Sequence, residues 1–284
     1  MEDIDHHICL NIKNMKIKKV KLFINDNLKS NKVAREVKEK LEKNKFAIVD
    51  EGYHLAIAIG GDGSFLRMVK NANFNNKCYY VGINAGTLGF AQEVNVDQID
   101  EFIEILKSGD FKVEDIGVQE VVVKTKKKEI KHCSINEIVV RDEALNTTEL
   151  DVYVQENLLE NFVGDGILVS TSFGSTAYNL SFGGSIVFNT FHTLQITPIA
   201  PLNSKVYRSL NNSLIIPDNM VIKLVPKRNN GNVIVTIDGD NNFYEGVEKI
   251  ETVINRTVKV IRMKDYNFVR KINDKFLKWM EWCR

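Results

Sequence analysis

Charge of one sign is the first thing this sequence lacks. Lysine and arginine total 38 against 37 aspartate and glutamate over 284 residues, leaving a formal net charge of +1. The short run Lys126, Lys127 and Lys128 is the nearest approach to a basic block, so a nucleic-acid partner is not expected. Cysteine is scarce and scattered: Cys9, Cys78, Cys133 and Cys283 form no C-x-x-C pair and have no histidine at ligand spacing nearby. That argues against a disulfide framework or a structural zinc site, and no protein-bound metal is expected. The adjacent His6 and His7 read as a solvated terminus. No apolar run approaches the roughly 18 residues of a membrane span. The opening MEDIDHHICLNIKN has early acids and neither a basic nor an apolar region of a secretory signal. The expectation is a soluble cytoplasmic protein with no membrane partner. Internal repeats and low-complexity linkers are also missing.

What is present changes period part way along. Up to about residue 110, short apolar runs alternate with helical stretches. VKLFIN (20–25), FAIV (46–49), LAIAI (55–59) and YYVGI (79–83) read as strands. SNKVAREVKEKLEKN sets Val33, Val37 and Leu41 four apart among charges, and VDQIDEFIEILKSG puts Ile99, Phe102, Ile103 and Leu106 on one side before the stop Gly109. Strands alternating with helices predict a mainly parallel, Rossmann-like α/β sheet with its ligand crevice at the carboxyl ends of the strands.

Beyond residue 116 the period is two. GVQEVVVKT, KEIKHCSINEIVVRD, TELDVYVQE, GDGILVSTS, NMVIKLVPK, GNVIVTIDGD and RTVKVIRMK each read as one strand. Phe268, Ile272 and Phe276, followed by Trp279 and Met280, return to helical spacing and suit core packing. The expected organisation is an α/β domain over 1–115, a mainly β domain over 116–264, and a terminal helix over 265–284 that packs back on the first domain.

At residues 54–65 the apolar run HLAIAIGGDGSF meets Gly60, Gly61, Asp62 and Gly63 where the buried strand ends. Glycines let a phosphate approach the backbone closely, and Ser64 is placed to cap a helix through FLRMVKNA whose amino end favours anions. A carboxylate there repels a bare polyphosphate, so Asp62 needs a proton to accept, a hydroxyl to orient, or a metal ion nearby. The same four residues also fit a tight turn with a capping aspartate, and neither the dinucleotide nor the Walker glycine pattern is met. GINAGTLGF (82–90) supplies a second glycine turn at the next strand end. GDGILVSTSFGSTAYNLSFGG (164–184) crowds small hydroxylated residues around Gly174 beside Tyr178, a loop suited to a planar base with hydroxylated sugars.

Taken in order, GGDG at 60–63, NAGTLGF at 84–90, Asn136-Glu137, the 164–184 stretch, ITPIAP at 196–201 and VYRSL at 206–210 resemble the NAD kinase family over nearly the whole chain. The resemblance implies transfer of a phosphoryl group from ATP, or polyphosphate, to the 2'-hydroxyl of the adenosine ribose of NAD. It implies an α/β then β-rich fold, a divalent metal, most simply Mg2+ with ATP, and a homodimer or homotetramer with shared active sites. By resemblance Asp62 is the catalytic carboxylate, and Gly60, Gly61 and Gly63 form the phosphate-donor loop. The NAD-binding set is Gly63, Phe90, Asn136, Glu137, Asp165, Thr176, Ala177, Tyr178, Ser181, Ala200 and Asp238, with Phe90 resembling an adenine-packing side chain. Asp165 and Ala200 match positions that a neighbouring subunit supplies in family members. Ser172-Phe173 and Gly239 depart from the pattern, and Phe173 either narrows the adenine pocket or points away. Arg208 fits a scaffold or interface role better than a phosphate contact, and His192 is not assigned to catalysis.

Rival expectations are a lipid kinase of the diacylglycerol type, which also carries GGDG, and a non-catalytic dinucleotide-binding sensor. A lipid kinase wants an apolar acceptor pocket where this chain offers Asn136-Glu137 and GSTAY. A sensor has no need of Asp62. A phosphofructokinase is weaker still, since TIDGD at 236–240 only partly echoes its acidic motif and lies on the wrong half of the chain.

Overall fold

The alternation of buried strands and amphipathic helices takes shape in a computed structural model that describes residues 16–86, 89–144 and 146–278. His6, His7, Cys9, Thr87, Leu88, Trp279, Met280 and Cys283, which carried readings above, lie outside the described residues. The chain forms two compact units: one ends at Asp115 and resumes at Val258, the other spans Ile116–Thr257.

The first unit carries β1 (Lys19–Ile24), α1 (Leu28–Lys43), β2 (Ala47–Ile48), β3 (Leu55–Gly60), α2 (Asp62–Asn71), β4 (Tyr79–Asn84) and α3 (Ile99–Ser108). Its strands pair in parallel in the order β2-β1-β3-β4, and Lys259 and Val260 continue the sheet beside Tyr79 and Tyr80. Every residue of β3 and β4 is buried, as a parallel sheet covered on both faces requires. The Asn27 side chain caps α1 by accepting from the Ser30 amide, and the predicted stripe Val33, Val37 and Leu41 is its buried face. α3 ends where expected, on Gly109 at φ 72°. It starts later than the sequence suggested, at Ile99, because Asn95 and Gln98 cap each other's backbone around a separate short turn at Val96–Gln98.

The remaining elements are β5 (Lys112–Thr125), β6 (Glu129–Ser134), β7 (Glu137–Asp142), β8 (Thr148–Val154), β9 (Asn157–Gly164), β10 (Gly166–Thr171), α4 (Tyr178–Ser181), β11 (Thr193–Ile199), β12 (Leu214–Pro217), β13 (Ile222–Pro226), β14 (Val233–Ile237), β15 (Asp240–Tyr244), β16 (Val247–Arg262) and α5 (Phe268–Ile272). In the second unit β12-β11-β10-β7-β14-β15 form one antiparallel sheet. β16, β13, β8 and β9 form another, with β5 beside β16 and β6 beside β5. Val140, Val169 and Val235 from the first of these and Val152, Leu224 and Ile250 from the second share one buried core. The fold class is that expected, α/β with a parallel sheet and then mostly antiparallel β.

Three expectations are corrected. KEIKHCSINEIVVRD is two strands, because Ile135 and Asn136 leave the ladder. The predicted cap at Ser64 is displaced: α2 begins at Asp62 with Gly61 as the capping residue, since an acidic first residue is favoured at a helix amino end. Among the described residues the terminal helix is α5, followed by one wider turn at Asn273–Leu277, and positions 279–284 of the expected helix lie outside them. Among the described residues no helix is long and apolar enough to cross a membrane.

Candidate active site

Two clusters of site residues form, one in each unit. In the first, β3 ends at Gly60 and the chain turns through Gly61 directly into α2, so that Asp62 stands at the first helical position. Its carboxylate is held from the neighbouring loop: Oδ2 accepts from the Phe90 amide at 3.0 Å and Oδ1 from the Ala91 amide at 2.9 Å. Lys275 Nζ lies 3.3 Å from Oδ2. Gly89 permits this approach, because a Cβ there would stand 2.1 Å from Asp62 Oδ1. A carboxylate has about four acceptor positions. Two amides and one ammonium occupy three, and Oδ1 retains one.

Gly60, Gly61 and Gly86 line a cavity of about 570 Å³ with Asn25, Asn27 and Ser30. The amino ends of α1 and α2 therefore both contribute to its wall, a setting that favours anions. Gly63 lies inside α2, with open space where a side chain would be. The Phe90 ring stacks on Phe276 at 5.2 Å between centroids and lies 6.0 Å from Phe268. Phe276 is thus not a core residue but an exposed one that covers Phe90.

The second cluster is built around the break between β6 and β7. Asp238 follows β14 with φ 47°. Its Oδ1 accepts from Ser134 Oγ at 2.5 Å and from the amides of Asn136 at 2.9 Å and Glu137 at 3.3 Å, while Oδ2 takes the Ile135 amide at 3.0 Å. The Asp238 carboxylate is thereby spent on shaping the Asn136-Glu137 turn. The turn also receives the loop after β10. Thr171 Oγ1 donates to the Ile135 carbonyl at 2.6 Å, the Thr171 amide donates to the Asn136 carbonyl at 2.9 Å, and a Cβ on Gly174 would stand 2.1 Å from that same carbonyl oxygen.

Glu137 is 6% exposed. Its carboxyl accepts from the Tyr178 backbone, and burial, reinforced by the nearby Asp238 charge, pushes its pKa up to about 8. Oε2 is buried and meets no hydrogen-bonding group among the described residues. Burial likewise raises the Asp238 carboxyl, against the pull of its four donors. Asn136, Thr176 and Ala177 are half-buried and Ser181 is exposed. The Tyr178 ring is 41% exposed, stands edge-on to Phe182, and its hydroxyl accepts from Arg141 at 3.3 Å. Asp165 and Ala200 are exposed neighbours, tied where the Asp165 amide meets the Ile199 carbonyl at 2.9 Å. Phe173 is buried, and Gly239, at φ 90°, has open space around it.

Sequence reasoning missed Lys275 and Lys271, which sit among charged residues of a terminal helical pattern and look there like a solvated face. It also missed Asn179, fully buried, which accepts from Thr197 Oγ1 at 2.7 Å and fixes the base of the Thr176–Tyr178 loop.

The ordered motifs have close counterparts in known proteins. The chain matches the ATP-NAD kinase N-terminal domain over residues 8–111 and the ATP-NAD kinase C-terminal domain over residues 135–263. The NAD kinase of Finegoldia magna is 40% identical over 268 residues, spanning 91% of this chain and 97% of that protein. That of Streptococcus pneumoniae is 34% identical over 242 residues, spanning 84% and 88%. Yeast NADH kinase complexed with NADH shares the fold at a TM-score of 0.85 and 19% identity, over 100% of this chain and 95% of that one. An NAD kinase from Archaeoglobus fulgidus in complex with ATP does so at 0.69 and 18% identity, over 90% and 98%. The chain therefore belongs to the ATP-NAD kinase family.

Proposed function

We infer that this protein transfers a phosphoryl group from ATP to the 2'-hydroxyl of the adenosine ribose of NAD, giving NADP, with Asp62 receiving the hydroxyl proton. The observation that carries the reading is the fixed carboxylate of Asp62, aimed by two backbone amides and one ammonium with an acceptor position left on Oδ1. Family membership supports the substrates. In phosphoryl transfer the protein mainly positions donor and acceptor and neutralises developing charge. A carboxylate is too weak a base to strip an alcohol outright, so the proton moves late, as the phosphorus–oxygen bond forms. Position then matters more than basicity, and position is what the Phe90 and Ala91 amides supply.

In this reading the donor phosphates lie against Gly60, Gly61 and Gly63, where the helix amino ends favour them. Asn136 and Glu137 take the adenosine portion, with Thr176, Ala177, Tyr178 and Ser181 from the loop after β10. Asp238 acts by shaping their turn, and Phe90 contributes through its amide as well as its ring. Among the described residues no three His, Cys, Asp or Glu gather into a metal cage. A magnesium ion would be carried on triphosphate oxygens and water, because the acceptor position left on Asp62 Oδ1 is taken by the hydroxyl in this reading. When bound, the ion neutralises charge on the phosphates. The exposed pair Asp165 and Ala200 serves the nicotinamide end of a neighbouring copy in a homodimer or homotetramer, and the protein works in the cytoplasm.

Incubation of the purified protein with NAD, ATP and magnesium tests the reading directly. NADP formation is expected. Phosphorylation of a diacylglycerol in its place, or NAD binding without turnover, favours the lipid kinase or the sensor.

A further inference from the structure

Lys275 stands 213 positions after Asp62, and its Nζ lies 3.3 Å from Asp62 Oδ2. It is brought there by a segment that grips the loop at 89–93 from several sides. Phe276 stacks on Phe90 at 5.2 Å, and the Lys275 ammonium sits over the same ring, 5.0 Å from its centroid. Lys271 Nζ donates to the carbonyls of Gln92 at 2.6 Å and Phe90 at 3.4 Å and pairs with Glu93 at 3.0 Å. The loop held in this way is the one whose amides hold the Asp62 carboxylate.

Stability alone does not account for the Lys275–Asp62 pair. Its side chains are 29% and 36% exposed, and ion pairs that open to solvent contribute little. Ordering a lysine side chain costs conformational entropy, which offsets any such gain. The terminal segment is already anchored by Lys271 and Phe276, so the fold does not need the pair. The chemistry does have a use for it, because a carboxylate held by only two amides can still tilt about its own bond. A cation on Oδ2 leaves Oδ1 as the oxygen that meets the substrate.

We propose that Lys275 is a positioning residue for phosphoryl transfer, fixing the Asp62 carboxylate so that Oδ1 faces the acceptor hydroxyl. The proposal rests on the reading of Asp62 as proton acceptor. Lys275→Met keeps an unbranched apolar side chain and removes the charge, and Lys275→Arg restores a cation. With wild type, K275M and K275R assayed side by side, K275M is expected to lose about 10- to 100-fold in kcat, the scale of a misplaced catalytic group. KM for NAD and ATP stays within about twofold, the urea midpoint is little changed because a half-buried pair open to solvent contributes little, and K275R recovers most of the loss. Wild-type kcat in K275M overturns the proposal, and a raised kcat does so by showing that the ammonium blocks the carboxylate. A loss that K275R fails to recover, accompanied by a lowered urea midpoint, makes Lys275 a structural residue. A wild type that forms no NADP overturns both this proposal and the kinase reading, whereas an active wild type with an equally active K275M overturns this one alone.

Discussion

The Asp238 carboxylate and the Asn136 amide are 102 positions apart in the chain and 2.9 Å apart in space. Around that bond Asp238 gathers four donors and breaks what the sequence shows as one long strand. The break takes Ile135 and Asn136 out of the ladder and leaves Glu137, the first residue of β7, against the Tyr178 backbone. Asp238→Ala leaves three backbone amides and a hydroxyl without their acceptor. It is expected to destabilise the protein by about 2–4 kcal/mol and to raise KM for NAD on the order of 10-fold, read by urea unfolding and steady-state kinetics. An unchanged KM separates the turn from substrate binding.

Glu137 gives a pH signature. Its folded-state pKa is pushed up to about 8 from the ordinary 4.5. Between those values the folded chain keeps a proton that the unfolded chain has released, so stability falls as pH rises through that window and levels off above it. The loss is on the order of a few kcal/mol. Glu137→Gln removes the titrating group, so urea midpoints of E137Q and wild type should agree near pH 4, diverge in favour of E137Q as pH rises to about 8, and run parallel above it. Profiles that run parallel from pH 4 upward contradict this.

Gly89 tests how closely the loop must approach the carboxylate. Ala in its place sets a Cβ 2.1 Å from Asp62 Oδ1, and Asp62 must swing away. Gly89→Ala is expected to lose about 100-fold in kcat, as a misplacement near 1 Å does, with NAD affinity by calorimetry largely kept. Equal losses in affinity and turnover make the effect structural.

Behind that loop Arg262, Glu93 and Glu114 are buried charges. Arg262 is 1% exposed and donates to Glu114 Oε2 at 2.7 Å and to Glu93 Oε2 at 3.0 Å, with Lys271 also on Glu93. Burial opposes the Arg262 charge, but the two carboxylates outweigh it and hold its pKa up, while burial lowers that of Lys271. Arg262→Met leaves Glu93 with Lys271 and takes the guanidinium away from the buried Glu114, and about 3–5 kcal/mol of stability is expected to be lost in urea unfolding. A loss under 1 kcal/mol means that the carboxylates find water.

The fold was legible where one period ran long enough. LAIAI, YYVGI and the stripe Val33, Val37, Leu41 sit where alternation and helical spacing put them. NLLENFVG, LIIP and DNNFY were not read as strands, because short or edge strands bury few side chains and leave little periodic signal. The candidate site residues rest on their ordered motifs. Their supports do not, since Asp238 meets Asn136, Lys275 meets Asp62 and Arg262 meets Glu93 across more than one hundred positions each. Such pairings are set by tertiary packing, and local spacing carries no trace of them.

The proposed phosphoryl transfer turns on Asp62 as the group that receives the ribose proton. Asp62→Asn keeps the side chain's shape, so the most direct test is to measure NADP formation and NAD affinity of this variant together. A fall on the order of 10²- to 10⁴-fold in kcat with NAD affinity retained is the expected result. Wild-type turnover in the variant contradicts the account.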